Sequence, residues 1–272
     1  MRRQSQVALV TGARSGIGFA CATALAQNGY KVYGTTRDAD AVTSDLGFEL
    51  LSMNVDVTAS VEAGVQHILQ EQQRLDVVIN NAGWGYGGAV EDTSVDEAKA
   101  LFETNFFGVM RVCRAVLPTM RAQRRGLIVN VSSIGGVIAV PFVAFYGATK
   151  FAVEGLTEAL RMEVKRFGID VVLLEPGDIR TPFTENRRHT AASQVSDLYK
   201  EQYAAVLAKI ESDEQAGASA EQVGRTVARI ANRRRRRIRY VVGPFYQQLA
   251  IVAKALLPGT LFERIIMMNY GL

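Results

Sequence analysis

Tyr146 and Lys150 stand four positions apart in Tyr146-Gly147-Ala148-Thr149-Lys150, at the opening of a stretch of helical period. Residues i and i+4 share a helix face, so the phenol and the ammonium project into the same space. A lysine cation beside a tyrosine favours phenolate and is expected to lower the phenol's pKa. A phenol tuned in this way passes a proton to or from an oxygen near neutral pH. Ser133, thirteen residues earlier, follows the apolar run Ile128-Val129-Asn130-Val131 and Ser132, and its hydroxyl can hold the same oxygen. A Tyr/Lys pair alone is ordinary on an amphipathic helix. Its weight comes from a third feature near the start of the chain.

That feature is Thr11-Gly12-Ala13-Arg14-Ser15-Gly16-Ile17-Gly18, set between the apolar run Val7-Ala8-Leu9-Val10 and a helix-like stretch over residues 17–27. Glycine permits positive φ and a close backbone approach, and a helix N-terminus offers unpaired N–H groups and a positive dipole end. The spacing, G-xxx-G-x-G, reads as a phosphate-binding turn. Some 20 residues on, dinucleotide sites that take NAD place a carboxylate against the ribose hydroxyls. Here the second strand candidate ends Thr35-Thr36-Arg37. Arg37 and Arg14 can offer guanidinium forks to a 2′-phosphate, which suits arginine geometry. The expectation is a preference for NADP(H), the other reading of Arg37 being a solvated loop residue.

Such groups need a scaffold, and the chain alternates short β-branched runs with longer helical segments. Strands are expected over residues 7–10, 31–35, 49–54, 77–80, 128–131, 170–175 and 238–243. Helices are expected over 17–27, 60–72, 95–120 with Ser94 as N-cap, 144–167 and 220–232. Near-continuous apolar strands alternating with helices predict an α/β fold: a Rossmann-type, doubly wound parallel sheet with helices on both faces, in a single domain. Ligands in such sheets bind beyond the carboxyl ends of the strands. Residues 1–244 read as one oxidoreductase domain. Within it, residues 183–217 form a polar, helix-prone insertion without a strand beside the ligand end. Residues 245–272 form a tail that is apolar on one side.

Of 272 residues, 48% are hydrophobic and 21% charged, enough for a sizeable core and inconsistent with a disordered chain. Two cysteines, Cys21 and Cys113, and two histidines, His67 and His189, exclude a disulfide framework and a zinc cluster, so no metal site is expected. Cys21 falls on the apolar face of the first helix and Cys113 within a long helix, and both read as inert core thiols. The net charge of +4 owes more than its whole value to five consecutive arginines at 233–237. That run reads either as a polyanion site or, preferably, as a solvated helix end whose cations complement the dipole. Met1-Arg2-Arg3-Gln4 leads into too short an apolar stretch for a signal peptide, and no apolar run of about 18 residues spans a membrane. A cytoplasmic location is expected.

Taken together the motifs resemble those of the short-chain dehydrogenase/reductase family, over roughly residues 7–183. The resemblance implies hydride transfer between nicotinamide and a carbonyl or alcohol carbon. Tyr146 is then the general acid/base, Lys150 lowers its pKa and binds the nicotinamide ribose, and Ser133 polarises the carbonyl. Asn105, in Thr104-Asn105-Phe106-Phe107-Gly108, holds a water linking Lys150 to solvent. The cofactor would be bound by Gly12, Arg14, Ser15, Gly16, Ile17, Gly18, Arg37, Tyr146 and Lys150. Asp56 and Val57 lie against adenine, and Asn81, Ala82 and Gly83 belong to the Asn80-Asn81-Ala82-Gly83 motif that steadies the sheet. Pro176, Gly177, Ile179 and Thr181 hold the carboxamide. The resemblance also implies a homodimer or homotetramer built on the two long helices.

Substrate choice is less legible. Ile134, Val137, Val140, Phe142, Val143, Phe183, Trp84 and Tyr86 fall near the expected pocket, with few charges among them. They read as the wall for a hydrophobic carbonyl or alcohol, steroid-, retinoid- or lipid-like, or equally as core. The tail caps the pocket or packs on a partner subunit in preference to lying on a bilayer. Nucleic acid is not an expected partner. Two further readings stay open: oxidation of an alcohol with NADP, and a catalytically silent cofactor-binding regulator.

Overall fold

The computed structural model describes residues 5–39, 46–194 and 197–272. Met1 to Gln4, on which part of the argument against a leader rested, lie outside the described residues. In chain order the elements are β1 (Val7–Val10), α1 (Gly16–Gln27), β2 (Lys31–Thr36), β3 (Glu49–Ser52), α2 (Thr58–Gln72), β4 (Val77–Asn80) and β5 (Tyr86–Gly87). Next come α3 (Val95–Phe102), a π-helical turn (Glu103–Phe107), α4 (Gly108–Gln123), β6 (Gly126–Val131), α5 (Ala144–Val164), β7 (Ile169–Pro176), β8 (Ile179–Arg180) and β9 (Arg188–His189). The chain ends with α6 (Lys200–Ala216), β10 (Ala218–Ser219), α7 (Ala220–Asn232), β11 (Arg239–Val242), α8 (Phe245–Leu256) and α9 (Gly259–Tyr270).

Seven strands form one parallel sheet in the order β11-β7-β6-β4-β1-β2-β3. Side chains alternate across a strand, and β1 shows the consequence. Val7 and Leu9 enter a core shared with α2, α4 and α5, whereas Ala8 and Val10 enter a second core shared with α1 and α7. The expected doubly wound, single-domain α/β fold is what the chain adopts. The strand order reverses between β1 and β4, successive strands being added on opposite sides of this pair, so the loops following these two strands diverge and leave a crevice at their carboxyl ends. The glycine turn follows β1 and Asn81-Ala82-Gly83 follows β4.

Two expectations are corrected, and the tail gains a definite form. The single helix over residues 95–120 is two helices joined by the π-helical turn at Glu103–Phe107, which holds Asn105. Hydrophobic period alone does not report one extra residue per turn. Its start is as expected, with Ser94 accepting from the Glu97 N–H in a capping box. The insertion does contain a strand: Arg188–His189 pairs in parallel with Tyr86–Gly87. Two residues are too few to show alternation. The tail is two helices broken at Pro258, and the stripe Phe245, Leu249, Val252 and Leu256 faces outward, exposed.

The arginine run ends α7. Arg236 donates to the carbonyls of Ile230 (2.9 Å) and Ala231 (2.7 Å) and to Asp170 (2.7 Å), supplying partners for carbonyls that a helix end leaves free. Cys21 and Cys113 are buried, which pushes each thiol up to about 12 and makes it unreactive. Among the described residues, no helix is long and apolar enough to cross a membrane.

Candidate active site

The glycine turn is held in shape from across the crevice. Asn81 Nδ2 donates to the carbonyls of Thr11 (3.0 Å) and Gly12 (3.1 Å), and the Asn81 and Ala82 N–H groups both donate to Thr11 Oγ1 at 2.9 Å. Gly12 has φ +67°, and a Cβ there would meet Ala82 Cα at 2.9 Å. At Gly18 a Cβ would lie 2.2 Å from the Gly12 carbonyl oxygen, so the turn closes only with glycine. Ser15, the N-cap of α1, makes no side-chain cap bond, and the helix's first turn carries no acidic residue. Its early amides and dipole are therefore uncompensated, and Ser15, Gly16 and Ile17 line a cavity. This end fits a diphosphate anion.

Below the turn, Asn80 and Asn130 tie β4 to β6. Asn80 Nδ2 donates to Asn130 Oδ1 (2.8 Å), and Asn130 Nδ2 donates to Thr157 Oγ1 on α5 (2.8 Å). These buried amides are nearly satisfied within the core and fix the sheet against the helix that carries Tyr146 and Lys150.

Tyr146 and Lys150 face one cavity, with Lys150 Nζ 5.7 Å from the phenol ring centroid. Lys150 Nζ donates to the Val131 carbonyl at 2.9 Å. Ser133 ends β6's extension, accepts from the Gly135 N–H (3.0 Å), and hydrogen-bonds the Tyr146 phenol. The expected lowering of the phenol's pKa is not what this arrangement gives. Burial pushes Tyr146 up to about 12, and the Ser133 hydrogen bond and the Arg187 cation only partly oppose it. Burial likewise brings Lys150 down to about 8, against the pull of Glu154. Desolvation outweighs the neighbouring charge in both cases.

Asn105 is buried in the π-helical turn, a distortion common at functional sites. Its Oδ1 accepts from the Trp84 N–H (3.0 Å), and its Nδ2 donates to the Trp84 carbonyl (3.1 Å) and to Thr149 Oγ1 (3.3 Å). Both amide protons are thus spent on aligning the loop after β4 with α5.

The cavity has a volume of about 300 Å³. It brings together Gly12, Ser15, Gly16, Ile17, Asn81, Gly83, Ser133, Tyr146, Lys150, Pro176, Gly177, Ile179 and Thr181. Of the expected substrate wall, Trp84, Tyr86, Ile134, Val140, Val143 and Phe183 line it; Val137 and Phe142 do not. Gly18, Ala82 and Asn105 act from behind the wall. Arg14, Arg37 and Val57 are exposed outside the cavity and Asp56 is half-buried there. Neither Arg14 nor Arg37 has a hydrogen-bond or ion-pair partner among the described residues.

One wall departs from the apolar expectation. Asp178, Arg187, Asp213 and Glu214 line it, with Gln247 and Tyr270 from the tail. Arg187 pairs with Glu214 at 2.5 Å, and Lys209 pairs with Asp213 at 2.6 Å. The Asp178 N–H donates to Gln247 Oε1 at 3.0 Å, while Gln247 Nε2 donates back to the Asp178 carboxylate. Asp178 lies inside the Pro176–Thr181 loop and was within reach of sequence reasoning. Arg187 lies in the loop before β9, Asp213 and Glu214 on the polar helix α6, and Gln247 and Tyr270 on the tail helices, none of them with a distinguishing spacing.

A family model described as "short chain dehydrogenase" matches residues 6–192. The chain belongs to the short-chain dehydrogenase family. It is similar to a 3-ketodihydrosphingosine reductase of Bacteroides thetaiotaomicron, 41% identical over 270 residues, 99% of each chain. Among solved structures it is similar to a short-chain dehydrogenase from Streptomyces avermitilis, with TM-score 0.81, 31% identity and 97% of each chain covered. A short-chain dehydrogenase/reductase from Burkholderia phymatum in complex with NAD has TM-score 0.78 and 26% identity, covering 97% of this chain and 96% of its own. This short-chain dehydrogenase is thus an oxidoreductase of a family whose solved members bind nicotinamide cofactors.

Proposed function

We propose that this short-chain dehydrogenase reduces the ketone of a lipid-like substrate with NADPH, using Tyr146 as the acid. The observation that carries the reading is the convergence of Ser133, Lys150 and the half-buried Tyr146 on one cavity, where desolvation keeps the phenol protonated at neutral pH. A phenol in its acid form donates to a developing alkoxide, the proton transfer that reduction requires. The cofactor, when bound, supplies the hydride to the carbonyl carbon. Ser133 holds the carbonyl oxygen beside the phenol, and Lys150, as a cation, stabilises negative charge arising there. Ser15, Gly16 and Ile17 would take the diphosphate on the α1 amides, with Pro176, Gly177, Ile179 and Thr181 at the nicotinamide end.

NADPH rather than NADH is supported by Arg14 and Arg37, two exposed guanidinium groups flanking the crevice where NAD sites place a carboxylate. The substrate class is supported by the mixed wall. Trp84, Ile134, Val140, Val143 and Phe183 suit a hydrocarbon, whereas Asp178, Arg187 and Glu214 suit a polar head. A 3-ketodihydrosphingosine, the compound in the name of the 41% identical relative, combines both and is the first substrate to try. A homo-oligomer formed through the helical stretches 95–120 and 144–167, the second of which exposes Phe151, belongs to the same reading.

Turnover is measured by the loss of reduced-nicotinamide absorbance with long-chain 3-keto bases, steroid ketones and retinal. Replacing Tyr146 by Phe should cost roughly 10²–10⁴-fold in kcat while leaving NADPH binding by fluorescence titration unchanged. Full activity in Tyr146→Phe removes the mechanism. Better use of NADH than NADPH removes the cofactor assignment alone.

A further inference from the structure

Glu154 follows Lys150 by one helical turn on the same face of α5, continuing the series Tyr146, Lys150, Glu154 and Glu158 at intervals of four. It is buried, unusual for a carboxylate unless paired. One oxygen, Oε2, accepts from Arg239 Nη1. The other, Oε1, has no hydrogen-bond partner among the described residues. Arg239 also reaches Glu175 Oε1 on β7 (2.5 Å) and, through Nη2, Glu158 Oε1 (2.5 Å). One guanidinium on β11 thus gathers three carboxylates and pins Glu154 behind the catalytic lysine.

The groups around this pair come from every element packed on it. Lys150 faces the Tyr146 ring, the Val131 carbonyl at the end of β6 and Glu154. Glu154 faces Ser132 after β6, Glu175 on β7, Arg239 on β11 and Lys150 on its own helix. Ser132 lies beside the stem of Lys150: a Cβ on Gly136 would lie 2.6 Å from Ser132 Oγ and 3.1 Å from Lys150 Cβ. Of these groups, Glu154 is the opposite charge that acts on Lys150, through space and without a direct ion pair, since Lys150 Nζ donates to the Val131 carbonyl.

We propose that Glu154 is a positioning residue for the reduction, acting through Lys150: held by Arg239, it keeps the lysine a cation behind the Tyr146 phenol. The inference rests on the reading of Tyr146 and Lys150 as the catalytic pair and adds what sustains the lysine's charge in a buried site. Burial alone opposes that charge, and the nearby carboxylate partly restores it. The direction agrees with the titration of both groups: Lys150 sits at about 8 with Glu154 pulling it upward, and Glu154 sits at about 7, raised by burial and Glu175 and held down by Ser132 and Arg239.

The test reads Lys150 directly. Protein labelled at lysine Cε with ¹³C, its Lys150 resonance assigned by Lys150→Arg, is titrated by NMR without cofactor. In the unmodified protein the resonance should show its own inflection and a smaller second one where Glu154 titrates, since interacting groups share their titrations. In Glu154→Gln the second inflection should vanish, and the lysine midpoint should fall by about one pH unit, the size of effect a single near charge exerts. The alkaline limb of kcat against pH should move down with it, while NADPH affinity at pH 6.5 stays within about twofold (about 0.4 kcal/mol, where tenfold is worth 1.4 kcal/mol). Glu154→Asp should restore most of the midpoint, and Glu158→Gln, at the exposed end of the cluster, should leave it in place. A single inflection in the unmodified protein overturns the inference, and so does an unmoved midpoint in a folded Glu154→Gln. A merely structural stitch between α5 and β11 would lower Tm and leave both titrations where they were. Activity surviving Tyr146→Phe would sink the catalytic pair itself, a separate outcome.

Discussion

Lys150 carries its charge only below the pH at which its buried ammonium releases a proton, about 8. Desolvation disfavours the cation, so the cationic fraction is nearly complete at pH 6.5 and lost as pH rises through that value. The kcat for reduction should therefore fall on the alkaline side with a midpoint near 8, well before Tyr146 deprotonates near 12. A plateau extending past pH 9.5 in stopped-flow or steady-state profiles would contradict the assignment of charge to Lys150. Arg14 and Arg37 matter for a different reason, because they lie outside the cavity and have no hydrogen-bond or ion-pair partner among the described residues. A charge-assisted hydrogen bond contributes about 1.5–3 kcal/mol, or roughly 10- to 150-fold in affinity. Arg14→Ala/Arg37→Ala should raise KM for NADPH by about that factor and leave KM for NADH nearly unchanged. An equal rise for both dinucleotides would mean the arginines bind the shared diphosphate instead.

The helix hairpin α8–α9 illustrates how one element sets the shape of the cavity. Its inner face contributes Gln247 and Tyr270 to the wall, and Gln247 is fastened to Asp178 by two hydrogen bonds. The Asp178 carboxyl is raised to about 6 by burial and by the charges of Asp213 and Glu214. In the folded chain it therefore holds its proton to a higher pH than the ordinary carboxyl value of 3.8. Between those two values the folded state binds more protons than the unfolded state, so this group's contribution to stability falls as pH rises and stays low above about 6. Asn at this position cannot ionise, yet it still accepts from Gln247. Asp178→Asn should then raise Tm at pH 8 by on the order of 2–4 °C, what about 1 kcal/mol gives in a domain this size after solvent screening. At pH 4 parent and variant should melt together. A variant that melts lower than the parent at pH 8 would show that the carboxylate, as an anion, is what fastens the hairpin.

Across the molecule, legibility followed the length of the signal. The sheet strands of four or more residues were visible as apolar runs, because a strand buried on both faces must be apolar throughout. Tyr146, Lys150 and Ser133 were visible because i, i+4 spacing and a strand end fix where side chains go without any tertiary knowledge. The π-helical turn at Asn105 and the Tyr86/Arg188 pairing were not, since each depends on one or two backbone hydrogen bonds that leave no periodicity. Neither was the direction of the Tyr146 shift, because the amount of burial is a property of the packed site and not of a motif. The direction of the stripe on α8 was not legible for a related reason: helical spacing reports that a face exists and not which way it points. One core cluster ends at Leu173 and the other at Val242, and no residue of α8 or α9 belongs to either. Removal of residues 244–272 should consequently leave the far-UV spectrum of the remaining chain essentially α/β and its denaturation cooperative. It should open the cavity where Gln247 and Tyr270 stand, so kcat/KM for a long-chain ketone should drop by about tenfold or more, the worth of roughly 1.4 kcal/mol of lost contact. A small ketone that never reaches this wall should keep its kcat/KM within about twofold, a fraction of that energy. Equal losses for both substrates would place the hairpin's role in folding, and loss for neither would remove it from the site.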